Sequence, residues 1–424
     1  MKVLFHVPKE NRYSINALVA AAEKFFIINK VEVYFTSNTR ETLNTLKTLT
    51  NNGPVLLVLS FFSTQYWDIE ELTKEVKSLK KDVRIVAGGP HPTGDPVSTL
   101  KAGVDYVVRG EGERVFLELL QAIKDSRGIE DLNSVSYIPP GGQVQNNPGA
   151  ESIDLNQYSP HSELYRRFGP VEITRGCPFA CHYCQTPRIF PGSLRHRDID
   201  SILKAVRVMI RNNLFDIRFI TPNALSYGSE DGKKVNLEAI EQLLSRLRGA
   251  LGRKGRIFFG SFPSEVRPEQ ISPEVLELLK KYVDNDNLVI GAQSGSDRIL
   301  KACHRGHTVE DVYRAVGLTI KAGFKANVDF IFSLPGETPE DVDETERFIL
   351  ELVSMGARVH AHTFMPLPQT PYKNAVVKEL DERYQRLINR LLPKGVLFGN
   401  WKQQALIAKR LSHLLRPSGP SDTA

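Results

Sequence analysis

Two long tracts of this sequence alternate short apolar runs with amphipathic helical patterns, and that alternation leaves few folds open. In the first tract the runs Lys2–Val7, Val31–Phe35, Val55–Ser60, Val83–Ala87 and Asp105–Val108 alternate with the helical patterns Ser14–Phe26, Thr39–Leu49, Asp68–Leu79 and Arg114–Ile123. The strands carry no polar face, so both faces must be covered, which calls for a parallel sheet between helices. Residues 1–125 are therefore expected to form a doubly wound α/β domain of the flavodoxin/Rossmann-like type. Its ligand should lie over the carboxyl ends of the strands.

In the second tract six runs recur: Val171–Thr174, Asp216–Thr221, Arg256–Ser261, Leu288–Ala292, Ala326–Ser333 and Arg358–Phe364. Helical patterns at Ile199–Arg211, Leu237–Arg248, Pro273–Tyr282, Thr308–Ala322 and Pro339–Met355 separate them. Units of this kind predict an open, partial (βα)6 TIM-type barrel over residues 169–375, with functional groups at the carboxyl ends of its strands. Residues 126–168, with a Pro139-Pro140-Gly-Gly142 turn, read as a hairpin-like linker. Residues 376–424 read as a short C-terminal segment with amphipathic helices at Lys378–Leu391 and Trp401–Leu415 and a Pro/Ser/Gly tail from Arg416.

The composition excludes some classes. The net charge of +6 is scattered among nearly as many acids as bases, without the basic stripe and interleaved aromatics of a nucleic-acid surface. A polypeptide or small-molecule substrate is expected ahead of nucleic acid. Apolar runs fall far short of the roughly 20 residues a membrane helix needs. The apolar stretch before Pro8 is too short for a signal-peptide core. The expectation is a cytoplasmic protein without a membrane partner.

Three of the four cysteines fall in Cys177-Pro-Phe-Ala-Cys181-His-Tyr-Cys184. Three thiolates at C-x3-C-x2-C spacing can hold three irons of a 4Fe-4S cube and leave the fourth iron open. The competing reading is structural zinc with His182, Cys303, His304 or His307 as fourth ligand. Structural zinc usually draws on a second, well-spaced ligand pair, and the nearest candidates lie far downstream. Cys303 reads as a small buried residue.

This cysteine run, with Tyr183 before its last member, resembles the signature of the radical S-adenosylmethionine (SAM) superfamily. The resemblance implies that Cys177, Cys181 and Cys184 hold the cluster and that its open iron chelates SAM. One electron would then yield methionine and a 5′-deoxyadenosyl radical. It implies a SAM-binding set: Tyr183 near the adenine, Asn223 for the ammonium, and Ser261, Glu265 and Arg267 for the ribose and carboxylate. Gln293 and Ser294, in Gly291-Ala-Gln-Ser-Gly-Ser296, resemble a Gly-x-Glu-Ser-Gly-Ser motif of related enzymes, and Phe332-Ser-Leu-Pro-Gly-Glu337 resembles their Gly-Leu-Pro-Gly-Glu motif. The Ile220-Thr-Pro-Asn223 segment departs from the usual Gly-Gly-Glu.

The strand-end loops of the first tract, Ser60-Phe-Phe-Ser-Thr64, Gly88-Gly-Pro-His-Pro92 and Arg109-Gly-Glu-Gly-Glu113, resemble those of the cobalamin (B12)-binding domain of B12-dependent radical SAM enzymes. The implied cobalamin contacts are Asn11, Ser14, Ser60, Phe62, Thr64, Gly88, Gly89, His91, Arg109, Gly110 and Glu111. The first loop, Pro8-Lys-Glu-Asn-Arg-Tyr-Ser14, lacks the cobalt-ligating histidine found in many such domains. Water, nothing, or another side chain is therefore expected on the lower face of cobalt, and His91 is expected at the nucleotide tail or in turn packing.

The combined resemblance implies a methyltransferase that makes a carbon radical and receives a methyl group from methylcobalamin, with a second SAM as methyl source. It also implies an electron donor such as ferredoxin or flavodoxin. Better understood relatives C-methylate residues of methyl-coenzyme M reductase, including a glutamine. The competing readings are a cyclase or rearrangement enzyme without methyl transfer and a non-catalytic cobalamin sensor. Asn327 and Asp329 share one face of their strand, as do His360 and His362, and these four are the expected substrate contacts.

Overall fold

The computed structural model describes residues 1–192 and 194–416 and divides into two compact units, with the boundary between Gly169 and Pro170. The Pro/Ser/Gly tail beyond Arg416 lies outside the described residues.

In the first unit the strands are β1 (Lys2–His6), β2 (Glu32–Thr36), β3 (Val55–Ser60), β4 (Val83–Gly88), β5 (Tyr106–Val108), β6 (Val135–Tyr137) and β7 (Gln145–Asn146). They form one sheet in the order 2-1-3-4-5-6-7, with β1 to β5 parallel. The order 2-1-3-4-5 is the flavodoxin topology, in which the chain changes direction between β1 and β3. Every residue of β1 and β3 is buried, the central ones apolar as a covered sheet requires and the terminal Lys2 and His6 bonded to Leu49 O and Thr42 Oγ1. Phe5 of β1 anchors the core between the rings of Phe26, Phe35 and Phe116, 5.5 to 6.3 Å away.

The segment read as a linker continues this sheet. β6 runs antiparallel to β5, pairing Tyr106 with Tyr137 and Val108 with Val135, and β7 completes the hairpin. Ile129 and Val135 are buried in the first unit's core, and the Asn147 amide donates to the carbonyls of Glu130 and Leu132. The hairpin covers what would otherwise be an open edge of unpaired backbone groups on β5.

The second unit contains β8 (Val171–Glu172), β9 (Thr174–Arg175), β10 (Arg195–His196), β11 (Asp216–Ile220), β12 (Arg256–Phe258), β13 (Asn287–Gln293), β14 (Lys325–Phe332), β15 (Arg358–Thr363) and β16 (Leu397–Phe398). β8, β11 and β12 form one parallel sheet and β13 to β16 another, each in chain order. A parallel bridge between Val266 and Ile290, with Val289 N–H donating to Gly260 O at 2.9 Å, joins the two arcs. The six expected strands are present as an open barrel wall, and β16, a short parallel strand not expected from the sequence, adds to its end.

Five outer helices begin at a side-chain cap: Asp198, Asn236, Ser272, Thr308 and Thr338 each accept from the backbone N–H three residues on. The C-terminal helices are Glu382–Leu391 and Trp401–Leu414. The first starts at its Asp381 cap, later than the apolar pattern suggests. The second docks on β15, where Thr363 donates from its N–H to Gln404 Oε1 (2.9 Å) and from its hydroxyl to Trp401 O (3.1 Å).

Candidate active site

Within the second unit the cysteine loop, the strand ends and the lumen-facing side chains of β13 to β16 line one cavity of about 900 Å³. The loop turns through Gly176 and Ala180, both at positive φ (90° and 51°), and presents Cys177, Cys181 and Cys184 to this cavity as free thiols. Burial pushes the Cys184 thiol up to about 11, so filling the site with metal releases protons.

The residues weighed as a fourth zinc ligand have other work. His182 N–H donates to Cys303 O at 2.9 Å, and its ring stacks on His304 at 5.5 Å. His304 Nδ1 lies 3.2 Å from Phe179 O, and His307 Nε2 lies 3.1 Å from Ala292 O. Cys303 is buried, 3.8 Å from the Tyr372 hydroxyl, and burial raises its thiol to about 12. Zn–S bonds of about 2.3 Å would require thiolates within roughly 4 Å of one another. Among the described residues, three His, Cys, Asp or Glu ligand atoms lie within 4.8 Å of one another only at Asp329, His360 and His362. Three free thiols on one loop suit a cluster with one iron per thiolate.

Beside the thiols sits a set of buried polar atoms without protein partners among the described residues. They include the Tyr183 hydroxyl, Asn223 Oδ1, Ser261 Oγ and Arg305 Nε. Tyr183, Asn223, Glu265, Arg267 and Gln293 line the cavity. Burial raises the Glu265 carboxyl. Asn223 is positioned by donating to Gln270 Oε1 at 2.6 Å. Arg267 is almost fully buried, lies 3.5 Å over the Phe179 ring and donates to Glu269 and to the Arg305 carbonyl. Such a set offers acceptors for an ammonium and a fork of donors for a carboxylate, so these residues fit SAM beside a three-thiolate cluster.

Ser261 is buried next to the lining residues, and Ser294 is not among them. Ser294 Oγ accepts from Ser296 N–H at 3.2 Å, and Ser296 and Arg298 bind Asp341, so this loop is tied to the helix Pro339–Ser354. Arg305 is the site residue that sequence reasoning missed. It donates to Gly291 O at 2.7 Å and directs a second nitrogen at Cys181 Sγ, 3.8 Å away. The one available signal was its place two residues after Cys303 in a segment already noted for its metal-ligand residue types.

The cavity's other wall is the polar face of β14 and β15. Asn327 donates to Asn287 Oδ1 at 3.2 Å, Asp329 Oδ1 lies 3.0 Å from His360 Nδ1, and His362 Nε2 lies 3.2 Å from the same nitrogen. All four expected substrate contacts line the cavity.

In the first unit the expected cobalamin residues gather at the carboxyl edge of the sheet. Asn11 ties its loop to β3 by donating to Ser60 O and, at 2.8 Å, to Gln65 Oε1. Ser14 and Phe62 are exposed, and Thr64, Gly88, Gly110 and Glu111 are half-buried. Gly89 has φ 95°, and a Cβ there would lie 2.7 Å from Ser60 Oγ and 3.1 Å from Phe61 N, so only glycine fits. His91 is sealed inside, its ring stacked on Phe61, with Nδ1 2.9 Å from Ser63 Oγ and Nε2 3.1 Å from Ser98 Oγ. It locks the loops together, as turn packing requires. Arg109 donates to Asn147 O, and Gly110 N–H donates to Thr93 Oγ1 at 3.0 Å. Glu111 accepts from Ile153 N–H at 3.3 Å.

The two units match two separate family models: a B12 binding domain over residues 13–120 and the radical SAM superfamily over residues 171–349. An uncharacterized protein of Methanocaldococcus jannaschii is 27% identical over 75% of this chain and 70% of its own length. An uncharacterized methyltransferase of Pyrococcus horikoshii is 26% identical over 70% of this chain and 64% of its own length. The chain thus spans roughly two thirds of these relatives. Among solved structures, the radical SAM methyltransferase TsrM of Kitasatospora setae, with tryptophan and a SAM analogue bound, shares the fold. Its TM-score is 0.70 at 20% identity, over 88% of this chain and 75% of that one. Among the described residues no helix is long and apolar enough to cross a membrane.

Proposed function

We infer that this chain, which joins a B12-binding domain to a radical SAM domain, is a methyltransferase acting on an unactivated carbon. Its cofactors are a 4Fe-4S cluster, SAM and cobalamin. The observation that carries the reading is the content of one cavity: three free thiols, buried polar atoms suited to an amino acid headgroup, and a separate polar wall. The substrate carbon would be held between the thiol side and that wall.

When bound, the cluster and SAM supply a hydrogen-abstracting radical, and methylcobalamin supplies the methyl group. The chain's own residues do the positioning. Arg305 directs positive charge at Cys181, and Arg267, which lines the same cavity, would hold the SAM carboxylate. Tyr183, Asn223 and Gln293 shape the SAM side of the cavity, and Asn327, Asp329, His360 and His362 face the substrate. In the first unit the Ser60, Gly88 and Arg109 loops would hold the corrinoid, with Asn11 and His91 fixing the loops. The proposed acceptor is a carbon of a polypeptide or a small molecule, with a glutamine α-carbon of methyl-coenzyme M reductase among the candidates to test. An external one-electron donor of the ferredoxin or flavodoxin type completes the requirement.

The test is anaerobic: reconstitute with iron, sulfide and methylcobalamin, add SAM and reductant, and quantify nucleosides with candidate peptides present. Both 5′-deoxyadenosine and S-adenosylhomocysteine should form in a substrate-dependent manner, and Cys181→Ala should abolish the first. 5′-Deoxyadenosine without S-adenosylhomocysteine would favour a cyclase or rearrangement enzyme, and neither product would overturn radical chemistry.

A further inference from the structure

Two imidazoles and a carboxylate meet on the polar wall of the cavity. Asp329 and His360 are partners in the parallel register of β14 and β15, and His362 lies two residues further along the same face of β15. Asp329 Oδ1 lies 3.0 Å from His360 Nδ1, and His362 Nε2 lies 3.2 Å from the same nitrogen. One ligand atom from each residue falls within 4.8 Å of the other two, and all three residues line the cavity. The side chains of His360 and Asp329 are 30% and 13% exposed, so the group is not sealed from solvent.

Hydrogen bonds alone satisfy this meeting incompletely. A ring nitrogen has a single in-plane site, filled by a hydrogen or by a lone pair. If His360 Nδ1 donates to the Asp329 carboxylate, it has no second site for His362 Nε2; if it accepts from His362, it turns a lone pair toward the carboxylate. An ion placed among the three is met by all of them. Two donors each about 2.1 Å from an ion stand roughly 3.0 Å apart at a right angle and roughly 3.4 Å apart at the tetrahedral angle. The observed 3.0 and 3.2 Å lie within that interval.

The neighbours of the two rings fix their planes. His360 stacks on Phe398 at 4.8 Å, and the Gln404 carboxamide lies behind His362, with Nε2 3.1 Å from His362 Nδ1 and Oε1 accepting from Thr363 N–H at 2.9 Å. A metal on His362 Nε2 puts hydrogen on Nδ1, and an acceptor must then face it. The Gln404 oxygen has a second lone pair for that hydrogen, which a rotation of the carboxamide brings round. Gln404 is thus the group that tunes the strength of the site.

We propose that Asp329, His360 and His362 bind a divalent transition-metal ion, separate from the metal held by the cysteine loop. Two imidazoles and one carboxylate suit zinc or iron(II), and three protein ligands leave at least one position for water or a substrate oxygen. Use of that position by a substrate rests on the radical methylation reading, whereas the ion does not.

The test is an anaerobic titration of the full chain, loaded with cluster and cobalamin, with zinc chloride, followed by calorimetry and by X-ray absorption at the zinc edge. One zinc should bind per chain, in a shell of nitrogen and oxygen at about 2.0–2.2 Å with no sulfur at about 2.3 Å. His362→Ala should remove it and Asp329→Asn should weaken it by about tenfold or more, with the parent's iron and cobalamin content as the check that each variant folds. Gln404→Glu offers one carboxylate oxygen to Thr363 N–H and the other to His362 Nδ1–H, and should strengthen binding by about tenfold, the scale of an outer-ligand effect. Absence of stoichiometric zinc, a shell containing sulfur, or an affinity that none of the three substitutions moves would overturn the proposal. Zinc bound as expected, with neither 5′-deoxyadenosine nor S-adenosylhomocysteine formed, would support the site and count against the methylation reading.

Discussion

Arg305 shows how one side chain links stability to cofactor chemistry. It is buried, donates to Gly291 O and points at Cys181 Sγ from 124 positions away in the chain. Arg305→Met keeps the volume but strands that carbonyl and removes a positive charge from beside the thiolates. We expect a loss of about 1–3 kcal/mol in reversible unfolding and a more negative cluster reduction potential in an EPR-monitored titration. An unchanged potential would remove Arg305 from any electrostatic role. Gly89 makes the equivalent point in the first unit. Gly89→Ala forces a strained backbone and a methyl group against Ser60 Oγ, so it should cost about 1–3 kcal/mol and weaken cobalamin retention on gel filtration.

Among the elements, the turn after β14 carries a measurable pH dependence. Glu337 N–H donates to Leu334 O at 3.2 Å, its carboxylate accepts from the Tyr384 hydroxyl at 3.3 Å, and burial raises the carboxyl to about 8. The folded value lies above the unfolded one near 4.5. This group's contribution to stability is therefore full below about pH 4.5 and is lost as pH rises through 8. Glu337→Gln should match the parent near pH 4.5 and exceed it at pH 9 by on the order of 3–5 kcal/mol, measured by urea unfolding. Equal denaturation midpoints at pH 9 would show that the fold does not raise this carboxyl. The motif Leu334-Pro-Gly-Glu337 is thus a turn with a buried acid, which its spelling in the sequence could not reveal.

At the scale of the molecule, the boundary at Gly169 predicts that residues 1–169 unfold cooperatively on their own, whereas residues 1–125 expose the β5 edge and lose the packing of Ile129 and Val135. Circular dichroism of the two fragments checks this. The 1–169 fragment should also be acid-sensitive, because burial lowers both His6 and His91 to about 4. A histidine held neutral in the fold contributes stability above its unfolded value near 6.5 and loses it as pH falls through 4, on the order of 3 kcal/mol each. The parallel order of β1 to β5, the six barrel strands and the cluster loop were legible in the sequence, because apolar periodicity and cysteine spacing are local properties of the chain. The connector was legible as hairpin-like, but its pairing with β5 and the short β16 were not, since their few residues gain strand structure only by pairing with an edge formed elsewhere. The sequence by itself determined the two α/β architectures and placed three thiols on one loop. Only the tertiary structure decided that Arg305 meets Cys181 and that Gln404 meets His362, because hydrogen bonds between distant segments depend on where folding brings their ends.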